Sequence, residues 1–84
     1  MNPRKTLQKI LNGSKNVPFR DMVRLAEAFG FRLVRINGSH HILSHPRIPK
    51  LVNLQDIGGE AKPYQMRQLL GLVEEYGLTL GGNT

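Results

Sequence analysis

Residues 31–55, FRLVRINGSHHILSHPRIPKLVNLQ, decide the fold. β-Branched and aliphatic residues fall there in short runs, Phe31 to Asn37, His40 to Ser44 and about Leu51 to Gln55, with turn-forming residues between them. Gly38-Ser39 suits a two-residue hairpin loop, which sets Asn37 opposite His40, Ile36 opposite His41, Arg35 opposite Ile42 and Val34 opposite Leu43, whereas a turn on Asn37-Gly38 would shift the pairing. Successive side chains on a strand point to opposite faces. This register therefore predicts Val34, Ile36, His41 and Leu43 on a core face, and Arg35, Asn37, His40 and Ile42 on the other. The connection from His45 to Lys50 holds Pro46 and Pro49, neither of which can donate to a ladder, and reads as an ordered loop.

Helical periodicity flanks this stretch. Upstream, Pro18 opens a helix whose Phe19, Met22, Val23, Ala26 and Phe29 form one stripe, with Arg20, Asp21, Arg24 and Glu27 on the solvated side and Gly30 as its end. Downstream, residues 56–62 break at Gly58-Gly59, and Pro63 begins a helix that lines up Met66, Leu69, Leu70, Val73 and Tyr76 before Gly77 stops it. Nearer the start, residues 3–12 place Leu7, Ile10 and Leu11 on one face of a short helix that stops at Asn12-Gly13, and a polar linker follows. The order helix, helix, strand, strand, strand, helix gives an α+β fold, a three-stranded antiparallel sheet with helices packed on one face and the other face free. The expected organisation is an N-terminal helical extension over 1–17, a compact core over 18–80 and a flexible tail over 81–84.

Composition narrows the chemistry. A chain of 84 residues is one domain with a thin core, burying about 60% of the surface its unfolded form exposes. Lys and Arg number 12 against 6 Asp and Glu, a formal charge of +6, which favours a polyanionic partner such as nucleic acid. The absence of cysteine rules out a disulfide framework, a thiolate nucleophile and a Cys-ligated zinc site. No apolar run approaches a signal h-region or a membrane span, so the expectation is a soluble, cytoplasmic protein without membrane contact.

The tetrapeptide Gly38-Ser39-His40-His41 puts imidazoles, the side chains that titrate near neutrality, at a tight turn in this basic setting. A shared metal ion does not suit them. His41 and His45 stand roughly 13 Å apart along a strand, His40 points to the opposite face, and the carboxylates Asp56, Glu60, Glu74 and Glu75 are scattered, so neither a metal nor another cofactor is expected. Serine hydrolysis would need Ser39 activated by a base that a carboxylate holds, and no Asp is near. Metal-free RNA cleavage fits better: it needs a base for the 2′-hydroxyl proton and cations for the phosphorane charge, which His40, Arg35 and nearby lysines supply. Gly58 to Pro63, with Lys62 and an uncapped helix start, reads as a second anion site or an ordinary strand-to-helix loop. Phe19, Phe29 and Phe31 sit at core spacing, which argues against an aromatic base-stacking platform.

Ala28-Phe29-Gly30-Phe31, the hairpin Gly38-Ser39-His40-His41-Ile42-Leu43, His45-Pro46, and Ala61-Lys62-Pro63-Tyr64-Gln65-Met66-Arg67-Gln68 together resemble the HicA toxin family, over roughly residues 19–80. The resemblance implies a fold similar to a double-stranded RNA-binding domain, metal-independent mRNA interferase activity, and neutralisation by a HicB antitoxin. The family's catalytic histidine falls on His40. On this reading the chain is an endoribonuclease toxin: His40 transfers the proton, Gly38 and Ser39 shape the turn, and Arg35, Lys50 and Lys62 hold phosphate. The alternative is a non-catalytic module that grips structured RNA through the same basic face.

Overall fold

In a computed structural model that describes residues 2–81, the chain reverses at Gly38-Ser39 as the hairpin letters predict. Gly38 stands at φ +62 and Ser39 at negative φ, the sign pattern of a type II′ turn, in which the first central position favours glycine. The elements in chain order are α1 (Pro3–Leu11), β1 (Val17–Pro18), α2 (Phe19–Ala28), β2 (Arg32–Asn37), β3 (His40–His45), β4 (Ile48–Gln55), β5 (Glu60–Ala61) and α3 (Pro63–Tyr76). From α2 to α3 this is the α-β-β-β-α order of a double-stranded RNA-binding domain. The main sheet is antiparallel with strand order β2-β3-β4.

One side of the sheet carries the core. Leu43, Val52 and Leu54 are buried there with Phe19, Met22, Leu25 and Ala26 of α2 and with Met66, Leu69 and Leu72 of α3. The expected pairs Asn37–His40, Ile36–His41 and Arg35–Ile42 form, but Leu43 pairs with Leu33 rather than Val34. A bulge between Leu33 and Arg35 absorbs the extra residue. Val34 and Ile36 are therefore not core: they are 50% and 56% exposed, because β2 is the sheet edge beyond the cover of the helices. The bulge also brings Arg32, paired with Ser44, onto the same face as Arg35 and Asn37.

Other elements depart from the sequence reading in defined ways. The stretch His45 to Lys50 is not a loop. Pro46 and Arg47 make a tight turn, His45 pairs with Ile48, and β4 runs on through Pro49, which an edge strand tolerates where its missing N–H faces outward. Asp21 is buried rather than solvated, on a helix that packs against α1, β1 and β5 as well as the sheet. Leu11, assigned to the apolar face of α1, is 67% exposed, while Leu7 and Ile10 pack against the core. On α3 the buried stripe is Met66, Leu69 and Leu72, with Leu70, Val73 and Tyr76 half-buried beside it. The polar linker after α1 ends in β1, which pairs with β5 through Val17–Ala61 and Pro18–Glu60 and so ties the N-terminal extension to the approach of α3. Of the tail expected over 81–84, residues 82–84 lie outside the described residues.

His45 locks the junction of these layers. Its Nε2–H donates to the Phe29 carbonyl at 3.0 Å, the Arg47 N–H donates to its Nδ1 at 3.1 Å, and its ring meets Phe31 edge-on at 5.0 Å. The ring presses so closely on the α2–β2 turn that a Cβ at Gly30, where φ is +102, would lie 2.8 Å from Nε2. Glycine is required there twice over, for the backbone conformation and for the space.

Candidate active site on the open sheet face

The register sorts the three histidines by environment. His41 lies on the core side, half-buried and edge-on to Phe19 at 4.7 Å, with its Nδ1 directed at the Ser39 carbonyl at a long 3.4 Å. His45 is buried with both ring nitrogens engaged. His40 alone faces the side without helices, exposed, at the end of β3 next to the turn.

β4 supports this end of the hairpin. His40 pairs with Gln55 and Ile42 with Asn53, so Asn53 is the diagonal neighbour of His40 on the open face. His40 Nδ1 and Asn53 Oδ1 stand 3.0 Å apart. Gln55 Nε2 donates to the Ser39 hydroxyl at 3.3 Å, and the Asp56 N–H donates to the Ser39 carbonyl at 2.8 Å. Gln65, 1% exposed in the first turn of α3, then grips Gln55 from the core side. Its Oε1 accepts from the Gln55 N–H at 2.9 Å and its Nε2 donates to the Gln55 carbonyl at 2.8 Å, as a neighbouring strand would. Asn53 and Gln55, which the sequence reading did not single out, thus stand beside His40 and its turn, with Gln65 behind them. Their only signal was the alternation of polar letters in Asn53-Leu54-Gln55, which an exposed strand face also produces.

The structure gathers some of the expected site residues and separates others. Gly38 and Ser39 form the turn beside His40. Arg35 is exposed on the open face, diagonal to His40 across the β2–β3 ladder. Lys50 lies three residues before Asn53, roughly 10 Å further along β4, toward the opposite end of the sheet. Lys62 stands at the start of α3, whose first turn has no side-chain cap, and its ammonium is 3.8 Å from the Glu60 carboxylate, so part of its charge is already matched. The Gly58-Gly59 segment is a tight turn closed by the Ile57–Glu60 bridge, and Asp56 Oδ1 takes the Gly59 N–H at 2.7 Å, which removes that N–H from any anion cradle. Tyr64 is exposed, whereas its neighbour Gln65 covers the sheet edge.

The site is a surface rather than a pocket. A groove of about 880 Å³ between α1, α3 and residues 78–81 contains none of the residues around His40. Among the described residues no group of three or more His, Cys, Asp or Glu side chains is placed to hold a metal ion, and no helix is long and apolar enough to cross a membrane.

The fold is similar to that of a double-stranded RNA-binding domain, and its uncovered sheet face carries Arg32, Arg35 and one exposed histidine. The model of the HicA toxin of bacterial toxin–antitoxin systems matches residues 19–74, two-thirds of the chain, running from the start of α2 almost to the end of α3. The chain belongs to that family, as the toxin component of such a system. No curated protein and no solved structure matched it.

Proposed function

We propose that this toxin is an mRNA interferase that cleaves RNA in the cytoplasm without a metal, using His40 as the base, and that a HicB-type antitoxin neutralises it. The observation that carries the reading is the sorting of the histidines: His41 and His45 are taken up in packing and hydrogen bonds, while His40 is exposed on a basic face of a family toxin. A polymeric anion needs an open track rather than an enclosed pocket, and the sheet face supplies one with Arg32 and Arg35 across from the histidine strand.

In the proposed step His40 removes the proton from a ribose 2′-hydroxyl, and the 2′-oxygen attacks the adjacent phosphorus. The bond from phosphorus to the 5′-oxygen breaks, leaving a 2′,3′-cyclic phosphate and a 5′-hydroxyl that takes up a proton from solvent at the open face. Arg35 stabilises the charge on the phosphorane oxygens, and Lys50 and Lys62 hold phosphate. Gly38 and Ser39 keep the histidine at the rim of the turn.

The test is cleavage of an in vitro transcribed mRNA in the presence of a chelator, together with growth on expression, for the wild type and His40→Ala. The variant is expected to fold, since the side chain it loses is exposed, and to lose both cleavage and toxicity. Salt-sensitive binding by the wild type with intact RNA would instead assign a binding module.

A further inference from the structure

An imidazole can act as a base only through a nitrogen that lacks a proton, and in the neutral ring one nitrogen carries the proton while the other does not. Which is which is set by the partner of the first. His40 Nδ1 stands 3.0 Å from Asn53 Oδ1, an amide oxygen that can only accept. The hydrogen bond therefore requires Nδ1–H, and the lone pair falls on Nε2, the far corner of an exposed ring. No hydrogen bond among the described residues occupies Nε2.

We propose that Asn53 is a positioning residue that holds neutral His40 in the Nδ1–H form and leaves Nε2 as the nitrogen offered to substrate. The inference rests on the reading of His40 as the base and adds the group that orients it. Asn53 suits this work because its strand is held on both sides. Leu54, its neighbour, is fully buried, and Gln55, next again, is clamped through its backbone by Gln65. The same stretch also grips the turn through Gln55 and Ser39, so the amide and the imidazole share one rigid frame. Asn53 is itself exposed and makes no core contact, which lets its side chain be changed without loss of the fold.

The experiment compares wild type, Asn53→Leu and Asn53→Asp, with His40→Ala as the reference for the underlying reading. Nitrogen-15 spectra of the histidine rings, recorded at a pH where they are neutral, give the tautomer directly. Cleavage of an in vitro transcribed mRNA gives kcat and KM. The wild type is expected to show His40 protonated at Nδ1. Asn53→Leu shifts the population toward Nε2–H and lowers kcat on the order of 10- to 100-fold, part of the roughly 10²- to 10⁴-fold that a positioned general base contributes, with KM little changed. Asn53→Asp, which keeps an acceptor at the same place, restores most of the rate. A wild-type His40 protonated at Nε2, or an Asn53→Leu enzyme with unchanged kcat, overturns the proposal. If His40→Ala is inactive while Asn53→Leu matches wild type, the role of Asn53 fails alone. If His40→Ala cleaves normally, the underlying reading fails with it.

Discussion

Gln65→Leu removes the two hydrogen bonds that fasten α3 to β4 while keeping a side chain of similar bulk, so its cost isolates the polar clamp. The substitution strips partners from the Gln55 N–H, now at 2.9 Å, and from the Gln55 carbonyl, now at 2.8 Å. A buried backbone group left without a partner costs about 1–3 kcal/mol. Gln55 is only half-buried, so water reaches these groups in part, which puts each near the lower end and the sum at about 2–4 kcal/mol. Total stability for a chain of this length is on the order of 4–13 kcal/mol, so the loss is a large share of it. Urea unfolding followed by circular dichroism measures it: with m about 1 kcal/mol/M the midpoint falls by roughly 2 M or more. A change below about 0.5 kcal/mol would refute the reasoning, since it would mean that solvent replaces both bonds at no cost.

Two further stability predictions separate effects the structure distinguishes. Gly30→Ala should cost about 2–4 kcal/mol, combining strain at φ +102 with displacement of the His45 ring, whereas Gly13→Ala, at φ +90 with nothing within 4 Å, should cost only the backbone part; equal losses in urea titrations would show that the His45 contact carries no energy. Leu43→Ala should cost about 2–5 kcal/mol and Ile36→Ala less than about 1 kcal/mol, although they sit on the same face of one hairpin, because Leu43 is 0% and Ile36 56% exposed; comparable losses by thermal or urea unfolding would contradict the placement of β2 beyond the core.

The hairpin was legible because its turn and its alternation agree: Gly38-Ser39 sets the register, and that register is the one observed from Asn37–His40 to Arg35–Ile42. It failed one pair later, where the bulge at Val34 leaves no mark in a run of apolar letters. The same limit explains Val34 and Ile36. Alternation tells which side a residue faces, but only the reach of the helices tells whether that side is covered. Pro49 misled in the other direction, since proline breaks a central strand yet is accommodated in β4 at the sheet edge. At the candidate site, the open-face placement of His40 was legible because strand alternation parts it from His41. The amides that brace it were not, because Asn53 and Gln55 reach it across the ladder and Gln65 from another element, pairings that no local spacing encodes.

The central claim is that His40 removes a 2′-hydroxyl proton on the open face of the sheet, and the termini of the cleaved RNA test it most directly. Purified toxin incubated with an in vitro transcribed mRNA and excess chelator should yield fragments ending in 2′,3′-cyclic phosphate and beginning with 5′-hydroxyl, with none from His40→Ala at the same protein concentration. Undiminished cleavage by His40→Ala, or wild-type cleavage that the chelator abolishes, would contradict the account.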